Sequence, residues 1–172
     1  MRKLLSLVLL FCLMACQSES GKQGVPTLPK KVELITPSGK VIETTLAITP
    51  AEQEQGLSGV QPQDFDDDDG MLFYYLQDDE KHFWMPDTYF DLDIIFLDKE
   101  LKILDIIRKL PFYVGRSSPE LIPRARGVWA RHALEMKATS EISKELKAGD
   151  ILKLKADVTL EQLEEMIKKP AP

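Results

Sequence analysis

The sequence predicts a mostly β (α+β) fold, a single compact barrel-like or sandwich-like domain with two or three short helices. Short apolar stretches rich in β-branched and aromatic residues recur at regular spacing, and clusters of turn-forming residues separate them. The segments with helix-start chemistry are all short. At 172 residues the chain is long enough for one domain with a substantial core and too short for two, and no internal repeat is evident.

Two of the helices are recognised by their first residues. Thr49 and Glu52 form a capping box for a helix that ends near Gly56. Thr159 and Gln162 form another for a closing helix over 159–169. A third helix is expected over 140–147, and an acidic loop (61–70), a polar turn (77–81) and a long loop (109–126) are expected between strands. The predicted strands are 31–36 and 41–48, which form an opening hairpin, and 71–76, 82–85, 92–97, 101–107, 127–136 and 151–156.

The N-terminus has the pattern of a secretory signal. Arg2 and Lys3 precede a short apolar run, and the ending Ala15-Cys16 resembles the lipobox of bacterial lipoproteins. We therefore predict a signal peptide over 1–15, a lipidated Cys16 with a flexible tether over 16–30, a β domain over 31–156 and a C-terminal helix and tail over 157–172. Gln17 favours the periplasmic side of the outer membrane over the inner membrane. An ordinary cleaved signal with a chance cysteine is the alternative.

Composition limits the function classes. An apolar fraction of 44% and a charged fraction of 29% are typical of a globular protein. Removal of the signal moves the formal charge from −6 to −8, which argues against nucleic acid and gives no attraction to anionic lipid, so the lipid on Cys16 would provide the membrane contact. Cys12 leaves with the signal, so the folded part has no disulfide, cysteine nucleophile or thiolate metal site.

Two acids lie in apolar strands. Asp93 shares a strand face with Ile95 and Leu97, and the other face is also apolar, which predicts a central strand. Glu135 lies in a similar setting. One hypothesis joins Asp93 and Glu135 as paired carboxylates for acid–base work or for holding a hard cation. The other is structural: Asp93 accepts backbone N–H groups, and Glu135 pairs with an arginine such as Arg131.

Aromatic and basic residues form two further sets, each with two interpretations. Trp84 and Tyr89 belong to an aromatic segment that either stacks on a ligand or packs in the core. Five arginines surround the long loop and either clamp an anionic ligand or pair with the protein's own acids. These arginines are Arg108, Arg116, Arg124, Arg126 and Arg131.

Other motifs point to no metal or cofactor. If Gly70 is placed at the glycine position of a calcium-binding loop, Phe65 and Leu76 fall where ligands are needed. His82 and His132 are the two histidines, and their spacing does not indicate a transition-metal site. The chain has no phosphate-binding glycine loop, dinucleotide fingerprint or nucleophile elbow.

Six ordered motifs carry a family resemblance across about Ala47 to Leu154. They are Gln55-Gly56-Leu57, Asp69-Gly70-Met71-Leu72-Phe73, Phe83-Trp84-Met85 with Thr88, Leu92-Asp93-Ile94-Ile95-Phe96, Leu134-Glu135 and Gly149-Asp150. In these motifs the chain resembles the domain-of-unknown-function family 192, small and often secreted bacterial and archaeal proteins. The resemblance implies a largely β fold and an envelope location, and it implies no activity.

The chain departs from this family pattern at several positions. Ser58 replaces a methionine, and Gln53 and Val60 stand where arginines are usual. Pro86-Asp87 replaces Lys-Asn, and Thr139 replaces a glycine. From these departures we expect this chain either to bind differently from members that keep the arginines and the lysine, or not to bind their ligand at all.

From these observations we predict a non-enzymatic binding or accessory module for a small anionic or cell-wall-derived ligand. Its site is expected between the segment 83–93 and the loop 109–126. One alternative is a hydrolase-like enzyme of the envelope that uses Asp93 and Glu135, assisted by Asp87 or His82. Another is a structural partner of an envelope protein; the oligomeric state is not predicted. The candidate ligand-binding residues are Trp84, Asp87, Thr88, Asp93, Arg124, Arg126, Arg131 and Glu135.

Overall fold

A computed structural model describes residues 28–169. The predicted signal, Cys16 and most of the tether lie outside the described residues, as does the tail from 170. The strands are β1 (Lys31–Ile35), β2 (Val41–Ala47), β3 (Asp69–Phe73), β4 (Asp79–Lys81), β5 (Leu92–Leu97), β6 (Ile103–Leu110), β7 (Val128–Ala130), β8 (His132–Lys137) and β9 (Lys153–Lys155). The α-helices are α1 (Pro50–Gln55), α2 (Glu141–Glu145) and α3 (Leu160–Lys168), and a 3₁₀ turn covers Pro62–Asp64. Within 28–169, none of these helices has the length and apolarity needed to cross a bilayer.

Seven strands form one sheet in the order β6-β5-β8-β3-β2-β1-β9, and β4 pairs with β7 in a small second sheet. All pairs are antiparallel except β2 with β3. The two edge strands of the large sheet meet at one corner, where Lys102 bridges Ile151 and the Gly149 N–H donates to the Ile103 carbonyl at 2.8 Å. The sheet does not close into a barrel, and the mostly β, sandwich-like prediction is confirmed.

Each face of the large sheet carries its own apolar core. Ile95 and Leu97 of β5 belong to the helix-side core, a cluster that also contains Leu163 of α3. Ile94 and Phe96 of β5 belong to the loop-side core, which the loop residues pack against. Every residue of β5 is buried, as predicted for a central strand, because both of its faces are covered.

The predicted strand over 127–136 is interrupted at Arg131. Residues before it pair with β4 in the small sheet, whereas residues after it pair with β3 and β5 in the large sheet. The period-two alternation therefore breaks at this residue, and Arg131 does not share a face with Glu135. The polar turn predicted at 77–81 was also wrong, because Asp79–Lys81 is β4. The predicted strand 82–85 is reduced to a single bridge between Trp84 and Arg124.

Local chemistry accounts for the helix starts. The Thr49 hydroxyl accepts from the Glu52 N–H at 3.2 Å, and the Glu52 carboxylate accepts from the Thr49 N–H at 2.9 Å, which confirms the predicted capping box. The second predicted box, of Thr159 and Gln162, is also present. In β3, a Cβ at Gly70 would lie 2.8 Å from Leu134 Cδ1, so the glycine of this motif allows two strands to pack closely.

Candidate functional site

The two predicted carboxylates do not meet. In the pairing of β5 with β8, Asp93 stands opposite Met136 and Glu135 stands opposite Ile94. Directly opposed residues of an antiparallel pair project from the same face, and successive residues project from opposite faces. Asp93 therefore faces the helix-side core and Glu135 the loop-side core. The paired-carboxylate hypothesis was wrong, and the hydrolase alternative loses the pair on which it depended.

Asp93 is fully engaged by the protein. The register of β5 with β6 shifts between Leu92 and Ile94, so that Arg108 and Lys109 form a bulge opposite Asp93. Both bulged residues donate hydrogen bonds to the Asp93 carboxylate. The Lys109 N–H donates to Oδ1 at 2.8 Å, Arg108 Nη1 donates to Oδ2 at 2.6 Å, and the Ser143 hydroxyl donates to Oδ2 at 2.7 Å. Asp93 thus ties α2 to the sheet, in agreement with the structural alternative.

Glu135 differs from Asp93, because its carboxyl group is not held by neighbouring side chains or backbone groups of the described part of the chain. Its side chain is only 4% exposed, and no hydrogen bond or ion pair reaches its carboxyl group from the described residues. Among these residues no fully enclosed side-chain oxygen lacks a partner, so the carboxyl oxygens of Glu135 keep access to the space in front of them. Burial disfavours the charged form and raises the pKa of Glu135 to about 8. A buried carboxyl group without a partner is costly to the fold, so its surroundings determine what the site can do.

The carboxyl group of Glu135 opens into a cleft of about 40 Å³. The cleft lies between the end of α1, the segment 83–88 and the loop-side face of the sheet. Apolar side chains form part of its lining: Leu57, Phe73, Phe83, Met85 and Leu92. Polar residues complete it: Gln53, Glu54, Gln55, Ser58, Thr88 and Glu135, together with Gly56, Trp84 and Pro86.

Gly56 makes room for the cleft. It ends α1 with a φ of 48°, a region that favours glycine, and its N–H donates to the Glu52 carbonyl at 2.8 Å. A Cβ there would lie 3.2 Å from Phe73 Cζ and 4.0 Å from Glu135 Oε2. Any side chain at this position would therefore narrow the space in front of the carboxyl group.

The polar side chains on the cleft wall donate hydrogen bonds to backbone carbonyl groups. The Ser58 hydroxyl donates to the Pro86 carbonyl at 2.6 Å, and the Thr88 hydroxyl donates to the same carbonyl at 3.3 Å. The Gln53 amide donates to the carbonyls of Ala47, Ile48 and Tyr74. Gln53 stands at one of the positions where the family pattern has arginine, and it uses its donors to hold α1 to the strands.

Trp84 and Arg124 form the rim. Trp84 is 41% exposed, and the Arg124 guanidinium lies 5.0 Å from the centre of its ring. Such a stack holds both side chains beside the opening of the cleft. Trp84 is exposed beside a groove, which favours ligand stacking over core packing for this residue.

Asp87 is an anchor for the long loop. Its Oδ1 accepts from the Gly115 N–H at 3.2 Å and from the Tyr89 hydroxyl at 3.0 Å, and this bond raises the pKa of Tyr89. Asp87 adopts a φ of 52°, which Asn and Asp tolerate better than most residues. The Asp that stands here in place of the usual Asn of the family pattern is one of the residues that adopt this conformation most readily.

Most of the candidate arginines pair with the protein's own acids. Arg126 pairs with Asp105, and Arg131 pairs with Asp78 through Nε at 2.5 Å. With Arg108 already bound to Asp93, three of the five are engaged in ion pairs. Of the three arginines proposed for ligand binding, Arg124 contacts the lining residue Trp84 without lining the cleft itself, and Arg126 and Arg131 are engaged elsewhere.

The histidines play no part in the cleft. His132 is buried, its Nδ1 accepts from the Tyr75 N–H at 3.2 Å, and its ring packs 4.2 Å from that of Tyr74. Burial lowers the pKa of His132 to about 3. His82 is exposed beside Glu80. Within residues 28–169, no group of three or more His, Cys, Asp or Glu residues is arranged to hold a metal ion.

A much larger groove of about 1050 Å³ lies beside β1 and α3. Its walls include Lys155 and Glu33, which pair with each other at 2.6 Å. The groove is wide, and its charged side chains lie at the surface rather than in an enclosed site. The small cleft is the better candidate, because a buried titratable group without a partner faces it.

Five of the six family motifs contribute to the cleft: those of Gly56, Phe73, Trp84 with Thr88, Leu92, and Glu135. Sequence reasoning selected Trp84, Thr88 and Glu135 but missed Gly56, Ser58 and Phe73. The family motifs were the available signal. They lie far apart in the chain, and residues of separate motifs that serve more than the strand core are candidates for one common site.

The comparisons with known proteins agree with this fold. Residues 33–154 match the model of the DUF192 family, described as an uncharacterized ACR. The crystal structure of a protein from Sinorhizobium meliloti 1021, provisionally named a transcription regulator, is 30% identical with a TM-score of 0.57, covering 76% of this chain and 98% of that one. A protein of unknown function from Novosphingobium aromaticivorans DSM 12444 is 27% identical with a TM-score of 0.57, covering 72% and 83%. A search of the curated proteins finds no match.

Proposed function

This chain belongs to the DUF192 family, and on that premise we propose that it is a lipid-anchored envelope protein whose cleft at Glu135 binds a small ligand. The observation that carries the proposal is the carboxyl group of Glu135, which is almost buried, receives no hydrogen bond from the described residues and faces the cleft. Burial without a partner costs free energy of folding, and such costs concentrate at binding and catalytic sites. A ligand that supplies the missing hydrogen bonds recovers this cost when it binds.

The rim supports a ligand with an anionic part. Arg124 stacks on Trp84 beside the opening and carries a planar set of donors suited to a carboxylate or phosphate. The exposed indole offers a flat apolar face for a ring or a sugar. A fragment of the cell wall with an anionic group has both features.

The sequence supports the location. Arg2, Lys3, the apolar run and Ala15-Cys16 are typical of a lipoprotein signal, and Gln17 favours the outer membrane. Stable anchoring needs two or more acyl chains. The tether to residue 30 is long enough to let the domain work away from the membrane surface, on its periplasmic side.

The experiment is native mass spectrometry of the full-length protein extracted from its own envelope in a mild detergent. We expect the wild-type to carry a retained small molecule, and Glu135→Gln to lose it. Glu141→Gln is the matched control, because Glu141 is 80% exposed on α2 and pairs with Lys144. A wild-type mass that equals the polypeptide plus its lipid, or equal retention in both variants, would overturn the proposal.

A further inference from the structure

The polar groups facing the cleft are mostly acceptors. The hydroxyl protons of Ser58 and Thr88 are directed to the Pro86 carbonyl, which leaves the oxygens free to accept. The amide protons of Gln55 and Gln53 are directed to backbone carbonyls. A ligand group that enters the cleft therefore meets lone pairs and has to supply the hydrogens itself.

Aromatic rings flank the same space. Phe73 and Phe83 meet edge to face with their centres 5.0 Å apart, and Trp84 completes the aromatic side of the lining. These rings exclude water from the cleft, and the carboxylate form of Glu135 in such a wall favours a positively charged guest over a neutral one.

The size of the cleft restricts the guest. A volume of about 40 Å³ accommodates a group of one or two heavy atoms. Its lining contains no lysine, arginine or histidine, so no residue of the wall neutralises Glu135. A guanidinium or an imidazole ring is too large for this space, whereas a terminal ammonium on a methylene fits.

We propose that the group bound in the cleft is a primary ammonium, held by the Glu135 carboxylate and by the hydroxyl oxygens of Ser58 and Thr88. This inference rests on the proposed function and adds the chemical class of the ligand, an amine. With Arg124 at the rim, the ligand class becomes an amine that also carries an anionic group, as amino acids and cell-wall peptides do.

The charges around Glu135 determine how this binding depends on pH. Glu54 of α1 lines the cleft and is exposed at its edge. Tyr75 follows β3, and burial, followed by the charges of Glu135 and Asp79, raises its pKa to about 12. Lys81 lies 3.6 Å from the centre of the Tyr75 ring and pairs with Asp79. Glu135 is therefore the group that titrates near neutral pH, and it has to lose its proton to pair with an ammonium ion.

The test uses the full-length protein in detergent with Trp129→Phe as background, so that Trp84 is the reporting tryptophan. Methylammonium, methanol and acetate are titrated from about pH 6 to about pH 9, a range in which an alkyl ammonium stays protonated. We expect the Kd of methylammonium to fall about tenfold per pH unit up to the pKa of Glu135 and then to level off. Methanol and acetate should bind more weakly, without this pH dependence.

Two variants make the result specific. Glu135→Gln should weaken methylammonium binding at least about tenfold at alkaline pH and abolish its pH dependence. Glu141→Gln, the same change on an exposed side chain of α2 that does not line the cleft, should leave both nearly unchanged. Equal binding of methanol and methylammonium, or a Glu135→Gln variant that binds methylammonium normally, would overturn the inference. If the extracted protein retains a ligand without an amine, the ammonium inference fails while the binding function stands; if it retains none, the binding function itself fails.

Discussion

Asp93 and Glu135 lie on neighbouring strands one residue out of phase, since Asp93 stands opposite Met136 and Glu135 stands opposite Ile94. Both are almost fully buried. On one face of the sheet the Asp93 carboxylate receives three hydrogen bonds. On the other face the Glu135 carboxyl group receives none from the described residues and opens into the cleft. The same chemical group thus stabilises the fold at one position and is available to a ligand at the other.

Removal of the Asp93 charge should destabilise the protein without changing the cleft. Asp93→Asn leaves Arg108 without its ion partner, and breaking a largely buried pair costs about 2–4 kcal/mol of unfolding free energy. Urea unfolding monitored by circular dichroism measures the loss. Ligand binding by the folded protein should stay at the wild-type level, and a binding defect as large as that of Glu135→Gln would contradict the separation of the two faces.

Glu135→Gln should stabilise the protein at alkaline pH. The folded-state pKa of about 8 exceeds the ordinary value of 4.5, so the folded state holds a proton that the unfolded state has lost. The contribution of Glu135 to the unfolding free energy is therefore fully present below about pH 4.5, and it is lost as the pH rises from there through about 8. The amide does not ionise, and we expect the variant to unfold with about 1–3 kcal/mol more free energy than the wild-type near pH 8. Urea unfolding of both proteins across this range is the measurement, and a stability difference between the variant and the wild-type that does not grow as the pH rises would refute the assignment.

His132 should make the fold sensitive to acid. Its folded-state pKa of about 3 lies below the ordinary 6.5, so its contribution is present above about pH 6.5 and is lost as the pH falls toward 3. Between about pH 7 and pH 5 the wild-type should lose about 2 kcal/mol of unfolding free energy through this residue. His132→Gln keeps an acceptor for the Tyr75 N–H and should remove that loss. The control His82→Gln changes an exposed ring and should leave the acid sensitivity intact.

Gly56→Ala should fill the cleft. The new Cβ would approach Phe73 at 3.2 Å and Glu135 Oε2 at 4.0 Å, so ligand affinity should fall about tenfold or more. The left-handed φ of Gly56 adds a stability cost of about 1 kcal/mol. Gly39→Ala is the matched control, because Gly39 also has a positive φ and nothing lies within 4 Å of its Cβ position. If both variants bind the ligand equally well, the cleft is not the site.

The sequence predicted the elements whose causes are local. The capping boxes at Thr49 and Thr159 and the buried strand β5 follow from short-range chemistry and apolar patterning. The break at Arg131 was missed because period-two alternation assumes one straight strand, and here the chain changes sheets. The same error placed Arg131 beside Glu135.

The site was only partly predictable. Burial of Asp93 and Glu135 followed from their apolar neighbours, but the register between β5 and β8 depends on long-range pairing and decides the face of each acid. Gly56 and Ser58 reach the cleft through the fold of α1 onto the sheet. No periodicity within the sequence predicts that contact.

The most direct measurement of the central claim is the pH titration of the Glu135 side-chain carboxyl carbon by NMR, in protein labelled with ¹³C at glutamate and assigned with Glu135→Gln. A carboxyl group buried at the cleft without a protein partner should titrate with a midpoint near the pKa of about 8. Methylammonium should shift that midpoint downward. A midpoint close to 4.5, unchanged by the amine, would show that Glu135 is hydrated or paired and would contradict the account.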